Sequence, residues 1–163
     1  MVRDYGWRGV AEQHDYERLF REYAPALWRA AYGFTGGRRQ IAEDAVAEAF
    51  ARAMERSAFV RDPIAYIYRT VFRLASAELR RDRRRGDLPS DVAAREPADL
   101  LDLLAAFDAL PFKQRAAVIL HDEEGFPSAE VGRLLGISAA TVRVHLHRGR
   151  KRLRVLLGSE EVD

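Results

Sequence analysis

The stretch AEDAVAEAFARAM, residues 42–54, sets Ala42, Ala45, Val46, Ala49, Phe50, Ala53 and Met54 at steps of three and four. Wound at 3.6 residues per turn these fall on one face, whereas as a strand they would scatter over both. The small alanines among them let another helix approach closely, so the chain has to supply helices to pack there. Tyr16, Leu19, Phe20, Tyr23 and Leu27 repeat the period ahead of the stretch, in a helix that Pro25 is expected to bend or interrupt. After it, DPIAYIYRTVFRLASAELRR offers Asp62 as N-cap, Pro63 as first helical residue and Ile64, Ile67, Val71, Leu74 and Leu79 as a buried side. Strand patterning is almost absent, and the expected fold class is all-α.

With 163 residues and 48% of them apolar, the chain can build one ordinary domain or two small ones. The absence of cysteine excludes disulfides, thiolate metal sites and thiol chemistry. No apolar run approaches a membrane span, and MVRDYGWRGVAEQHDY lacks the apolar core of a signal peptide. A soluble chain without membrane insertion, kept in the cytoplasm, is therefore expected. RDRRRGDLPSDVAAREPAD mixes Gly, Pro, Ser and charge without an apolar period. It reads as a flexible, acidic linker over 86–99, between one helical domain at 12–85 and a second at 100–157.

In the second half, SAEVGRLL makes two helical turns, Gly136 suits a left-handed helix end, and Ser138 can cap the next helix. That is a helix-turn-helix, with Ile137 plugging its corner. GISAATVRVHLHRGRKRLR then holds six arginines and lysines and no acid. Ala139, Val142, Leu146, Gly149, Leu153 and Leu156 recur as its core side, opposite Ala140, Val144, Arg148 and Lys151. Small residues near the start of such a helix let its backbone approach base edges, and arginines further along reach guanines or phosphates. The candidate duplex-DNA residues are Ser138, Ala139, Ala140, Thr141, Arg143, Val144, Arg148 and Lys151. His145 and His147 are two residues apart and point away from each other on a helix, so they do not chelate one metal ion. HDEE at 121–124 reads as a polar helix end rather than a hydrolase centre, and neither a cofactor box nor a helical Glu-x-x-His pair exists. No cofactor and no catalytic residue are assigned.

Three stretches together, AEDAVAEAFARAM (42–54), AYIYRTVFRLASAELRRDRR (65–84) and the run from Leu110 to Arg154, resemble the extracytoplasmic-function sigma factors of bacteria. The resemblance covers about residues 15–157 in order, spacing and layout. It implies sigma region 2 in the first domain, region 4 in the second, and a transcription initiation factor without enzymatic activity of its own. It further implies that Asp44, Glu48, Ala51, Arg52 and Glu55 dock on the clamp helices of the RNA polymerase largest subunit, while region 4 meets the flap of the second-largest. Phe59, in the loop RSAFVRDP, with Tyr66, Arg69, Thr70 and Arg73 would capture the melted minus-ten strand, a pairing of aromatic and basic groups suited to single-stranded DNA. Region 4 would read the minus-thirty-five duplex, and an anti-sigma protein is a further implied partner. For the linker, imitation of RNA and a plain solvated tether stay equally open.

Family members often have Trp, Asn and Asp where this chain has Tyr66, Arg73 and Ala77, and Gly and Ser where it has Ala140 and Val144. Asn pairs well with adenine while Arg favours guanine or phosphate, so an unusual minus-ten preference is expected. The alternative reading is a regulator resembling the LuxR class, which would bind operator DNA without core polymerase.

Overall fold

A computed structural model describes residues 15–85 and 96–158. Within them the chain forms α1 (Tyr16–Phe34), α2 (Arg39–Glu55), α3 (Pro63–Arg85), α4 (Ala98–Asp108), α5 (Phe112–Val118), a π-helical turn (Ile119–Glu123), α6 (Ser128–Leu135) and α7 (Ala139–Leu156). The described residues contain no strand, as the helical periodicity requires. Most of the expected linker, residues 86–95, lies outside the described residues, and α4 already begins at Ala98.

Helices α1, α2 and α3 pack through the stripes read from the sequence. Ala42, Ala45, Val46, Ala49, Phe50 and Ala53 are buried on α2, against Leu19, Leu27 and Ala31 of α1 and Ile64, Ile67 and Val71 of α3 in one core. Each fully buried Leu or Ile contributes about 1.5–3 kcal/mol relative to exposure, so this trio has an ample apolar base. Local signals set the ends. Asp15 Oδ1 accepts from Arg18 N at 3.0 Å, and Asp62 Oδ1 accepts from Ala65 N at 3.1 Å, so both carboxylates cap helix N-termini.

Some expectations fail here. Pro25 does not interrupt α1, which runs unbroken from Tyr16 to Phe34. Met54 is 53% exposed although it shares the α2 stripe, and Phe20 is exposed while its ring meets Phe50 edge-on at 5.0 Å. Leu156, expected in the core, is 51% exposed in the last turn of α7.

The two halves share one apolar core. Phe34 at the end of α1 meets Phe112 of α5 edge-on at 5.1 Å, and Tyr68 of α3 meets Phe126 at 5.7 Å. Polar ties reinforce the seam. Arg115, 4% exposed, donates to the carbonyls of Phe34 (2.7 Å), Asp108 (2.8 Å) and Leu110 (2.9 Å). The Asp108 carboxylate also lies 3.3 Å from Arg38 and 3.5 Å from Arg83. Burial pushes the Arg115 guanidinium down to about 10, against the opposing pull of Asp108, so it stays charged at neutral pH.

Candidate nucleic-acid interface

The helix-turn-helix is built by three short-range devices. Gly136 takes φ +71°, the left-handed conformation that ends α6 and that a side chain would strain. Gly132 lets the corner close, since a Cβ there would stand 2.6 Å from the carbonyl oxygen of Ile137. Ser138 then starts α7, its Oγ accepting from Thr141 N at 3.1 Å and lying 2.8 Å from Thr141 Oγ1. With Val142, Leu146 and Gly149 buried, the rotation of α7 is fixed.

That rotation turns Ala140, Arg143, Val144, Arg148 and Lys151 outward into solvent, with Ala139 and Thr141 half-exposed at the rim. Ser138 is exposed, although its hydroxyl is shared with the cap. Beside this face lies an open cavity of about 440 Å³ lined by His121, Ser128, Arg143, Leu146, His147, Arg150 and Arg154. The sequence reading selected only Arg143 from this set. His147 and Arg154 belong to the same helix, where the period places them at the flanks of the recognition face, whereas His121 and Ser128 arrive from other elements. Arg150 is committed elsewhere: its Nε donates to Asp122 Oδ2 at 2.9 Å, and that hydrogen bond holds the Asp122 carboxyl below its usual range. The outward face of α7 is thus basic and small-residued, a surface that can enter a groove between phosphate rows.

On α3 the expected strand-binding residues separate. Arg69 and Arg73 are exposed and Tyr66 is half-buried. Thr70 is 3% exposed and its hydroxyl donates to the Tyr66 carbonyl at 2.7 Å, so it faces the bundle and not a ligand. The offset of four from Tyr66 suggested a shared face, but α3 is covered on more sides than an isolated amphipathic helix. Phe59 stands 88% exposed in the loop before α3, held by Phe59 N donating to Arg56 O at 2.8 Å. An aromatic ring left in water is costly to hold there, and it is free to stack.

On α2, Asp44, Glu48 and Glu55 are exposed, with Ala51 and Arg52 half-exposed between them. Arg52 Nε donates to Glu48 at 2.6 Å and Gln40 donates to Asp44 at 2.9 Å, leaving an acidic ridge with its charges partly tied. Exposed Phe20 and Met54 add apolar area to this region, which the sequence reading had assigned to the core.

Comparison with known proteins agrees with this layout. The family model for sigma-70 region 2 matches residues 19–85, and that for sigma-70 region 4 matches residues 100–153. The chain is 35% identical to the ECF RNA polymerase sigma factor SigE of Mycolicibacterium smegmatis over 94% of its own length, and it spans 65% of that relative. It is 31% identical to the ECF RNA polymerase sigma factor SigM of Mycobacterium tuberculosis, covering 91% of this chain and 80% of the relative. Among solved structures, the fold is similar to the sigma factor RpoE of Bartonella quintana, crystallised with the anti-sigma factor NepR. That match has a TM-score of 0.73 and 24% identity, over 90% of this chain and 99% of the other. CnrH, solved with the cytosolic domain of CnrY, is similar at a TM-score of 0.70 and 22% identity over 92% of each chain. A sequence carrying both sigma regions in order, on the fold those regions form, belongs to the extracytoplasmic-function branch of the sigma-70 family.

Proposed function

We propose that the chain is an alternative sigma factor that binds RNA polymerase core and directs initiation at a particular set of promoters. The observation that carries this reading is the pairing of two surfaces in one chain: the outward basic face of α7 and the exposed Phe59, Arg69 and Arg73 at α3. A duplex reader alone needs only the first.

In the proposed mechanism the acidic ridge of Asp44, Glu48 and Glu55, with Ala51, Arg52, Phe20 and Met54, docks on the clamp helices of the largest subunit. Apolar exposure beside partly tied charge suits such a contact, since the apolar area supplies affinity and the charge supplies orientation. The end of α7 would meet the flap of the second-largest subunit. Ala140, Val144 and Arg148 would enter the major groove of the minus-thirty-five duplex, while Arg143, Lys151 and the neighbouring His147 and Arg154 hold phosphates. Phe59 would stack on an unpaired base of the minus-ten strand, with Arg69 and Arg73 on its backbone or edges. The regulator resembling the LuxR class is not favoured, because residues 19–85 match sigma-70 region 2, which such a protein has no use for. An anti-sigma protein is proposed as a further partner by extension from the similar RpoE structure, solved with the anti-sigma factor NepR.

The test is reconstitution: purified chain, core polymerase and a randomised promoter library. Transcripts from a defined promoter class are expected; no holoenzyme or no transcripts would sink the proposal. In the same assay Arg73→Asn should shift the preferred minus-ten sequence, since one well-made base contact discriminates by about 1–3 kcal/mol. An unchanged preference would remove Arg73 as a base reader.

A further inference from the structure

A second basic surface lies apart from the outward face of α7. Between α3, α5, the turn after α6 and α7 runs a groove of about 670 Å³, within the size range of small-molecule sites. Its floor is apolar: Phe72 is buried there, Phe112 presents a partly exposed ring, and Leu135 and Ile137 are half-buried. Its rim is cationic, with Arg69, Arg73 and Arg80 from α3, Lys113 from α5 and, among the described residues, no carboxylate. Arg69 is already engaged, since its Nη2 donates to the main-chain oxygen of Arg133 at 2.6 Å. Arg80 holds only a long contact to Ser76 Oγ at 3.4 Å, and Arg73 and Lys113 make no hydrogen bond or ion pair among the described residues. Two polar groups on the same walls also lack partners there. Gln114 is 9% exposed and its Oε1 is buried without a hydrogen bond, as is the Nδ1 of His145. A buried acceptor without a donor is costly, so this wall is incomplete by itself. The terminal amide torsion of Gln114 is soft, which lets its oxygen turn toward a donor entering the groove.

We propose that this groove is a nucleotide site: a heteroaromatic base lies over Phe112 with its amino group donating to Gln114 Oε1, and its phosphates meet Arg73, Arg80 and Lys113. Each part of the ligand follows from a part of the wall. Three cations without a carboxylate among them exceed what one carboxylic acid neutralises, and they suit a phosphate chain. An apolar floor with an exposed aromatic ring takes a flat ring by stacking. A buried oxygen selects an N–H donor, so an amino group is preferred to a keto group at the same place. A fatty acid would satisfy the floor and the rim but leave Gln114 without a partner. Free phosphate would satisfy the rim alone.

Titration calorimetry of the full chain with ADP tests this, with adenosine and pyrophosphate as the two halves of the ligand. ADP should bind at one site with a Kd of about 10 µM, and each half about tenfold more weakly or worse. Inosine diphosphate, which carries a keto oxygen in place of the amino group, should also bind about tenfold more weakly than ADP. Gln114→Met removes the orphaned oxygen at similar volume and should erase the difference between the two diphosphates. Lys113 and Arg80 are exposed and can be changed without touching the core. Lys113→Ala and Arg80→Ala should each weaken ADP by about fivefold to tenfold, whereas Arg154→Ala, in the basic cavity beside α7, should leave ADP affinity unchanged. Pyrophosphate binding as tightly as ADP would overturn the proposal, as would a loss through Arg154→Ala in place of Lys113→Ala. So would the absence of saturable ADP binding up to about 1 mM. The groove shares Arg73 with the proposed strand contact, but Lys113 and Gln114 lie on α5, outside that face. The titration contains neither polymerase nor DNA, so its outcome is read separately from that of the proposed function.

Discussion

Arg115 donates to the main-chain oxygen of Phe34 at 2.7 Å while its guanidinium carbon lies 5.1 Å from the centre of the Phe34 ring. One side chain from α5 thus closes the C-terminal end of α1, satisfying a carbonyl that the helix itself leaves without a donor. Replacement by Met keeps the apolar stem but strands the carbonyls of Phe34 and Leu110 and leaves that of Asp108 with Arg83 alone, at 3.3 Å. Arg115→Met should cost about 3 kcal/mol and lower the melting temperature by roughly 10 °C, seen by calorimetry. A loss within error would show that water replaces the guanidinium at no cost.

Two glycines should respond in opposite directions. At Gly132 a Cβ meets the Ile137 carbonyl oxygen at 2.6 Å, a backbone atom that cannot turn aside. The clash costs about 1–3 kcal/mol, more than the helix-propensity gain of about 1 kcal/mol, so Gly132→Ala should destabilise. At Gly33 the nearest atom is Ile119 Cδ1 at 3.6 Å, an ordinary contact, and Gly33→Ala should stabilise by up to about 1 kcal/mol. Denaturant midpoints of the two variants check both signs.

His145 is held below the ordinary histidine range, first by burial and then by the charges of Lys113 and Arg148. Among the described residues its Nδ1 is buried without a hydrogen-bond partner. Because the unfolded chain takes up the proton more readily, the stability associated with neutral His145 is present above the ordinary histidine value and is lost as pH falls below it. The wild-type chain should therefore lose stability between pH 7 and pH 5 more steeply than His145→Gln, measured by urea unfolding across that range. Parallel slopes would count against the assignment.

Phosphate holders and base readers on α7 are separable by salt. Lys151→Ala should weaken binding to all duplexes alike and reduce the slope of log affinity against log salt by about 1. Val144→Ser should leave that slope unchanged and alter sequence preference at one position of the duplex. Fluorescence anisotropy of the holoenzyme on minus-thirty-five duplexes over a salt series measures both.

The sequence disclosed what depends on neighbours along the chain. Val142, Leu146 and Gly149 declared the buried side of α7, and Asp62, Gly136 and Ser138 declared their turns and caps, because those signals lie within four residues. What stayed hidden depends on which surface arrives from elsewhere. Phe20, Met54 and Leu156 carry the right period, yet all three stay exposed among the described residues. Thr70 looked available by spacing from Tyr66 and is enclosed. The ties of Arg115 to Phe34 and of Arg69 to Arg133 join residues more than sixty positions apart, and no local rule marks an arginine for such a role.

Between α5 and α6 the main chain widens to a π-helical turn, with Glu124 N donating to Ile119 O and Phe126 N donating to Leu120 O, both at 3.0 Å. A widened turn holds one residue more than an α-helical path of the same length needs. Removing that residue would leave a continuous helix with every backbone bond made, yet it would rotate the downstream chain by about 100° and turn Phe126 away from Tyr68. The chain is therefore intolerant of length changes here even where local helix formation would improve. Related sequences aligned across 119–124 should conserve their spacing more strictly than their residues.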